Sequence, residues 1–94
     1  MDFLSVGYGN IVAVDKIISI AQPESSPIRR LIQDAKDSGK LIDLSCGKKT
    51  RSVIVTDCDY LILSALTTEM LYDRINQLKN DPGKLDFSLD DNLE

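Results

Sequence analysis

Chemistry needs reactive side chains at workable spacings, and this sequence offers few. It has no histidine. That removes Ser-His-Asp and Cys-His nucleophilic catalysis, and every metal site built on imidazole. Two cysteines, Cys46 and Cys58, cannot complete a tetrahedral zinc site alone. Their apolar neighbours predict buried core thiols rather than redox centres. Asp43, Asp57 and Asp59 are the one acidic set that could hold Mg²⁺ for hydrolysis. Acids flanking a tight turn are more often turn formers, and Asp57-Cys58-Asp59 reads that way. Gly7-Tyr8-Gly9 lacks the third glycine of a dinucleotide fingerprint, since Val12 stands there. Gly47-Lys48 lacks the flanking residues of a phosphate-binding loop, which Ile42 and Lys49 replace. What remains is the cationic run Lys48-Lys49-x-Arg51. At an exposed hairpin tip such a run neutralises phosphates, or merely keeps a strand edge soluble.

Segmental charge sharpens this. The net charge is -4. Residues 81–94 hold five acids and one base, so residues 1–80 sum to zero. Within the neutral body, residues 16–51 hold eight bases against four acids. With no tryptophan and 5% aromatic residues, the chain is poor material for stacking single-stranded bases.

The elements that position these groups follow from pattern. Residues 3–6 read as a strand and Gly7 to Asn10 as a turn. Residues 11–21 read as a strand bent near Asp15-Lys16. Ser25-Ser26-Pro27 starts a helix over 26–38, with Ser26 as cap and Ile28, Leu31, Ile32 and Ala35 as its apolar stripe. Gly39 stops it. Residues 41–46 and 51–56 then predict a hairpin with Gly47-Lys48-Lys49-Thr50 at its tip. Residues 60–66 are the last strand. Thr67 or Thr68 caps a second helix carrying Met70, Leu71, Ile75 and Leu78, which Asp81-Pro82-Gly83 ends.

The expected fold is α+β: a small, mostly antiparallel sheet with two helices in one domain over 1–80, then a mobile acidic tail over 81–94. That tail is a weak internal inhibitor of anion binding or, more plainly, a solubility device. Val53-Ile54-Val55 and Leu61-Ile62-Leu63 are continuous apolar runs, so both sheet faces need cover. Two short helices can cover one face at most, so a second copy of the same protein is expected to cover the other. The acidic N-terminus and the lack of a long apolar run point to a cytoplasmic protein with no membrane contact.

Several segments match a known pattern in order and spacing. They are Asn10-Ile11-Val12, Ile18-Ser19-Ile20, Pro23-Glu24-Ser25-x-Pro27-Ile28, Ile32-Gln33-Asp34-Ala35 and Leu41-Ile42-Asp43. Gly47-x-x-Thr50-Arg51, Asp57-x-Asp59 and Ile62-Leu63-Ser64-Ala65 follow. The sequence resembles the extracellular matrix regulatory protein family, RemA, over about residues 3–75. The resemblance implies a ring-shaped homo-oligomer that binds double-stranded promoter DNA and activates biofilm-matrix operons. It implies no catalysis and no cofactor. The family's three DNA-contacting arginines fall on Lys16, Lys48 and Lys49. Lysine keeps the charge but loses the planar fork that reads guanine bidentately. With Arg51 these make the expected DNA patch; Arg29 and Arg30 on the helix are weaker candidates. The alternatives are an oligomeric protein-interaction module that has lost DNA binding, and a metal-dependent enzyme using Asp43, Asp57 and Asp59.

Overall fold

A computed structural model describes residues 2–80. The chain runs β1 (Phe3–Gly7), β2 (Asn10–Ala13), a 3-10 turn (Val14–Lys16), β3 (Ile17–Ala21), α1 (Ser26–Asp37), β4 (Leu41–Asp43), β5 (Ser52–Thr56), β6 (Leu61–Ser64) and α2 (Thr68–Asn80). The class is α+β with two helices, as the sequence predicts. The acidic tail, its Asp81-Pro82-Gly83 start and its expected mobility lie outside the described residues.

β1 and β2 form an antiparallel hairpin of their own. Its loop is Tyr8-Gly9, both at positive φ (55° and 79°), as a type I′ turn requires. The predicted strand over 11–21 is instead two strands in two sheets. The break falls at Val14–Lys16, where the bend was expected.

The second sheet has the order β3-β5-β6-β4. β3, β5 and β6 are successive antiparallel neighbours, and β4 is parallel to β6 with Leu41 opposite Leu61. This corrects the predicted hairpin over 41–56. β5 joins β6 through the short turn at Asp57–Tyr60 and pairs with β3 on its other side. Closing a short loop costs little entropy, so β6 takes the position beside β5. No edge of β5 is left for β4, which returns from α1 to the far side of β6.

The two helices lie on opposite faces of this sheet, which corrects a second expectation. Val53, Leu61 and Leu63 are buried with Ala35, and Ile28 and Ile32 of α1 pack onto them. Ile54 and Ile62, the alternate residues, face Leu4, Val6 and Val12 of the hairpin and Leu71 and Leu78 of α2. The continuous apolar runs are therefore covered within one chain. A second copy is not needed to bury them.

Both cysteines are exposed, against the expected burial. Each sits in a turn rather than a strand: Cys46 at positive φ after β4, Cys58 between β5 and β6. Turns run over the surface, so these two side chains meet water despite the apolar strands that flank them.

Candidate functional site

Lys48, Lys49 and Arg51 are all exposed on the connection from β4 to β5. Five hydrogen bonds fix this connection. The Leu44 amide donates to the Leu63 carbonyl (2.9 Å), and the Lys48 amide to the Ser45 carbonyl (3.0 Å). The Arg51 amide donates to the Ser64 carbonyl (2.9 Å), tying the turn to the end of β6. At its start Ser45 donates twice to Asp43 Oδ1, from its amide (2.9 Å) and its hydroxyl (2.6 Å). Those two bonds hold the Asp43 carboxyl below the usual carboxylate range, the Ser45 hydroxyl contributing most. Cys46 and Gly47, both at positive φ, then turn the chain outward. The run of cations is thus a constrained turn rather than a hairpin tip.

Lys49 and Arg51 border a shallow depression of about 300 Å³ whose other walls include Glu24, Thr68 and Glu69. Two carboxylates therefore stand near the cations and temper their field. Sequence spacing gave no warning of this. Glu24 precedes α1 and Glu69 opens α2, and only the sheet order brings both to the start of β5.

Lys16 is exposed but elsewhere. Its carbonyl accepts the Asp57 amide at 2.9 Å, so it sits at the C-terminal end of β5, beside the turn into β6. Arg51 precedes the other end. The five residues of β5 separate Arg51 from Asp57, six steps or about 20 Å at roughly 3.3 Å per residue. One chain does not gather Lys16 with Lys48, Lys49 and Arg51 into one patch. Arg29 and Arg30 are exposed on the first turns of α1.

The acidic set is divided too. Asp43 lies opposite Leu63, whereas Asp57 and Asp59 form the turn before Leu61. Asp59 takes positive φ (71°), and the Thr56 hydroxyl closes the same turn onto the Tyr60 carbonyl at 2.6 Å. These are turn residues, as expected, and Asp43 is engaged by Ser45. Among the described residues no three His, Cys, Asp or Glu side chains are grouped to hold a metal ion. Nor is any helix there long and apolar enough to cross a membrane.

Comparison with known proteins places the chain. A family model described as RemA-like, extracellular matrix regulatory protein A-like, matches residues 3–75. A protein of Geobacillus thermodenitrificans is 48% identical over 75 residues, covering 80% of this chain and 86% of its own length. One of Carboxydothermus hydrogenoformans is 49% identical over 78 residues, covering 83% and 90%. One of Acetivibrio thermocellus is 41% identical over 86 residues, covering 92% of each. All three bear a regulatory-protein name and nothing more specific. With a family model spanning most of the chain, and relatives this similar along most of their own length, the chain belongs to the RemA-like family.

Proposed function

We propose that this chain is a double-stranded-DNA-binding transcriptional regulator that works as a homo-oligomeric ring in the cytoplasm and activates biofilm-matrix genes, without catalysis. The observation that carries this reading is three exposed cations, Lys48, Lys49 and Arg51, within four residues of a backbone-pinned turn. A fixed turn loses little entropy when it meets phosphate, and family membership supplies the regulatory context.

The placement of Lys16 gives the ring a definite task. Lys16 and the 48–51 turn occupy opposite ends of β5. A head-to-tail ring sets the leading end of one subunit against the trailing end of the next. The DNA contact is then a junction, with Lys16 from one copy and Lys48 and Lys49 from its neighbour. Repetition around the ring makes weak contacts act together.

A second reading, an oligomeric protein-interaction module without DNA, is favoured by the net charge of -4 and by Glu24 and Glu69 beside the cations. DNA titration over a range of salt decides between them. Lys48→Ala with Lys49→Ala is expected to weaken binding and to reduce the log–log salt slope by roughly 0.9 for each phosphate that is no longer neutralised. Adding Lys16→Ala weakens it further. In an equal mixture of Lys16→Ala chains with Lys48→Ala/Lys49→Ala chains, about one junction in four regains a full set of lysines. The mixed ring is expected to bind better than rings of the triple variant. Unchanged affinity and slope in the triple variant rule out this DNA surface.

A further inference from the structure

β3 closes one side of the sheet and, among the described residues, pairs only with β5. Beside its outer edge runs a groove of about 540 Å³, lined by Ile18, Ile20, Tyr72 and Ile75 with Thr68 and Glu69. Ile18 (65% exposed) and Tyr72 (64%) are the most exposed large apolar side chains among the described residues. An unpaired strand edge next to an apolar groove is a template for one more strand.

The chain carries a segment of that chemistry. Lys84-Leu85-Asp86-Phe87-Ser88-Leu89-Asp90 alternates strictly, with Leu85, Phe87 and Leu89 on one side of an extended strand and Asp86, Ser88 and Asp90 on the other. Asp81-Pro82-Gly83-Lys84, which precedes it, has proline and glycine at the two central positions of a type II turn. The starting point is close. Ile75 lines the groove, and Asn80 ends α2 five residues later, about 7.5 Å along the axis. The first turn of α2 stands near Gln22 and Glu24, just past the end of β3. α2 therefore runs back beside β3, so a chain that reversed after Asn80 would run along β3 in β3's own direction.

Handedness selects the same edge. β3 reaches β4 through α1 on one face of the sheet, and both strands run parallel to β6. A strand after α2 that pairs with β3 moves across the sheet in the opposite sense, with its helix on the opposite face. Two such crossovers have the same hand, so if one obeys the right-handed rule the other does too. Placement outside β4 gives the opposite hand.

We propose that residues 84–90 of the same chain add to the outer edge of β3 as a parallel strand, setting Leu85, Phe87 and Leu89 into the groove against Tyr72 and Ile75. The sheet then has five strands with a crossover helix on each face. This rests neither on DNA binding nor on ring formation.

Hydrogen exchange on the full chain tests it. In the native protein the amides of 85–89 are expected to exchange about tenfold slower than in the Phe87→Asp variant, and the amides of β3 are expected to lose protection when residues 81–94 are deleted. In a Cys46→Ser/Cys58→Ser background, Tyr72→Cys with Phe87→Cys is expected to oxidise within single chains. Unprotected exchange at 85–89 in the native chain overturns the proposal. So does a disulfide that forms only between chains, or β3 protection that survives the deletion, which assigns the edge to a second copy.

Discussion

At the scale of single residues, two serines facing each other across the sheet do different work. Ser52 and Ser64 are paired across β5 and β6, and both are fully buried. Ser64 donates its hydroxyl to the Val6 carbonyl (2.8 Å) and accepts the Leu66 amide (3.1 Å), so it joins the sheet to the β1–β2 hairpin. The Ser52 hydroxyl has no hydrogen-bond partner among the described residues. A satisfied buried hydroxyl contributes about 1 kcal/mol, whereas an unsatisfied one costs its own desolvation. Ser64→Ala is therefore expected to lower stability by roughly 1–3 kcal/mol, because it also strands the Val6 carbonyl and the Leu66 amide. Ser52→Ala is expected to be neutral or stabilising. Urea denaturation of the two variants checks the contrast, and equal losses contradict it. None of this is visible in sequence, where both are polar residues at strand ends. The exposed cysteines show the same limit: apolar neighbours predict a buried thiol only if the residue itself lies in the strand.

At the scale of elements, local signals are faithful and pairings are not. Serine, proline and the i, i+3, i+4 stripe place α1 within a residue of its observed end. Ser26 lies inside the helix rather than at its cap, which is Ser25, and that cap makes no side-chain hydrogen bond. α2 is better capped. The Thr67 hydroxyl accepts the Met70 amide at 3.2 Å, and the Thr67 carbonyl accepts the Leu71 amide at 3.1 Å. Thr67→Ala is expected to cost about 1 kcal/mol, within a range of roughly 0.5–2. For a chain of this size that lowers Tm by about 4–8 °C. Thr68→Ala, one residue into the helix, is expected to change Tm far less, and equal shifts in the two variants refute the assignment. The β4–β5 pairing fails as a sequence inference for a definite reason. Two strands separated by a glycine-containing basic turn meet the local criterion for a hairpin, and nothing local reports that β6 and β3 have already filled both edges of β5. The turn itself, and hence Lys48, Lys49 and Arg51 as one exposed group, was legible. Their distance from Lys16 follows from strand order and was not.

For the molecule as a whole, the sheet order governs how the polypeptide emerges during synthesis. β3, α1 and β4 are all made before β5 and β6, the strands that separate β3 from β4. Apart from the β1–β2 hairpin, a nascent chain that has reached residue 50 holds two strands of this sheet with no mutual contact and an amphipathic helix with no sheet to cover. Isolated helices of about 12 residues are marginal in water, so α1 gains its stability only when Val53, Leu61 and Leu63 arrive. A fragment ending at residue 50 is therefore expected to show neither the circular dichroism of α1 nor a cooperative melt, and a helical, cooperatively melting fragment contradicts this. The β5–β6 hairpin is the late wedge: the ribosome delivers the outer parts of this sheet first, and they must wait for its centre.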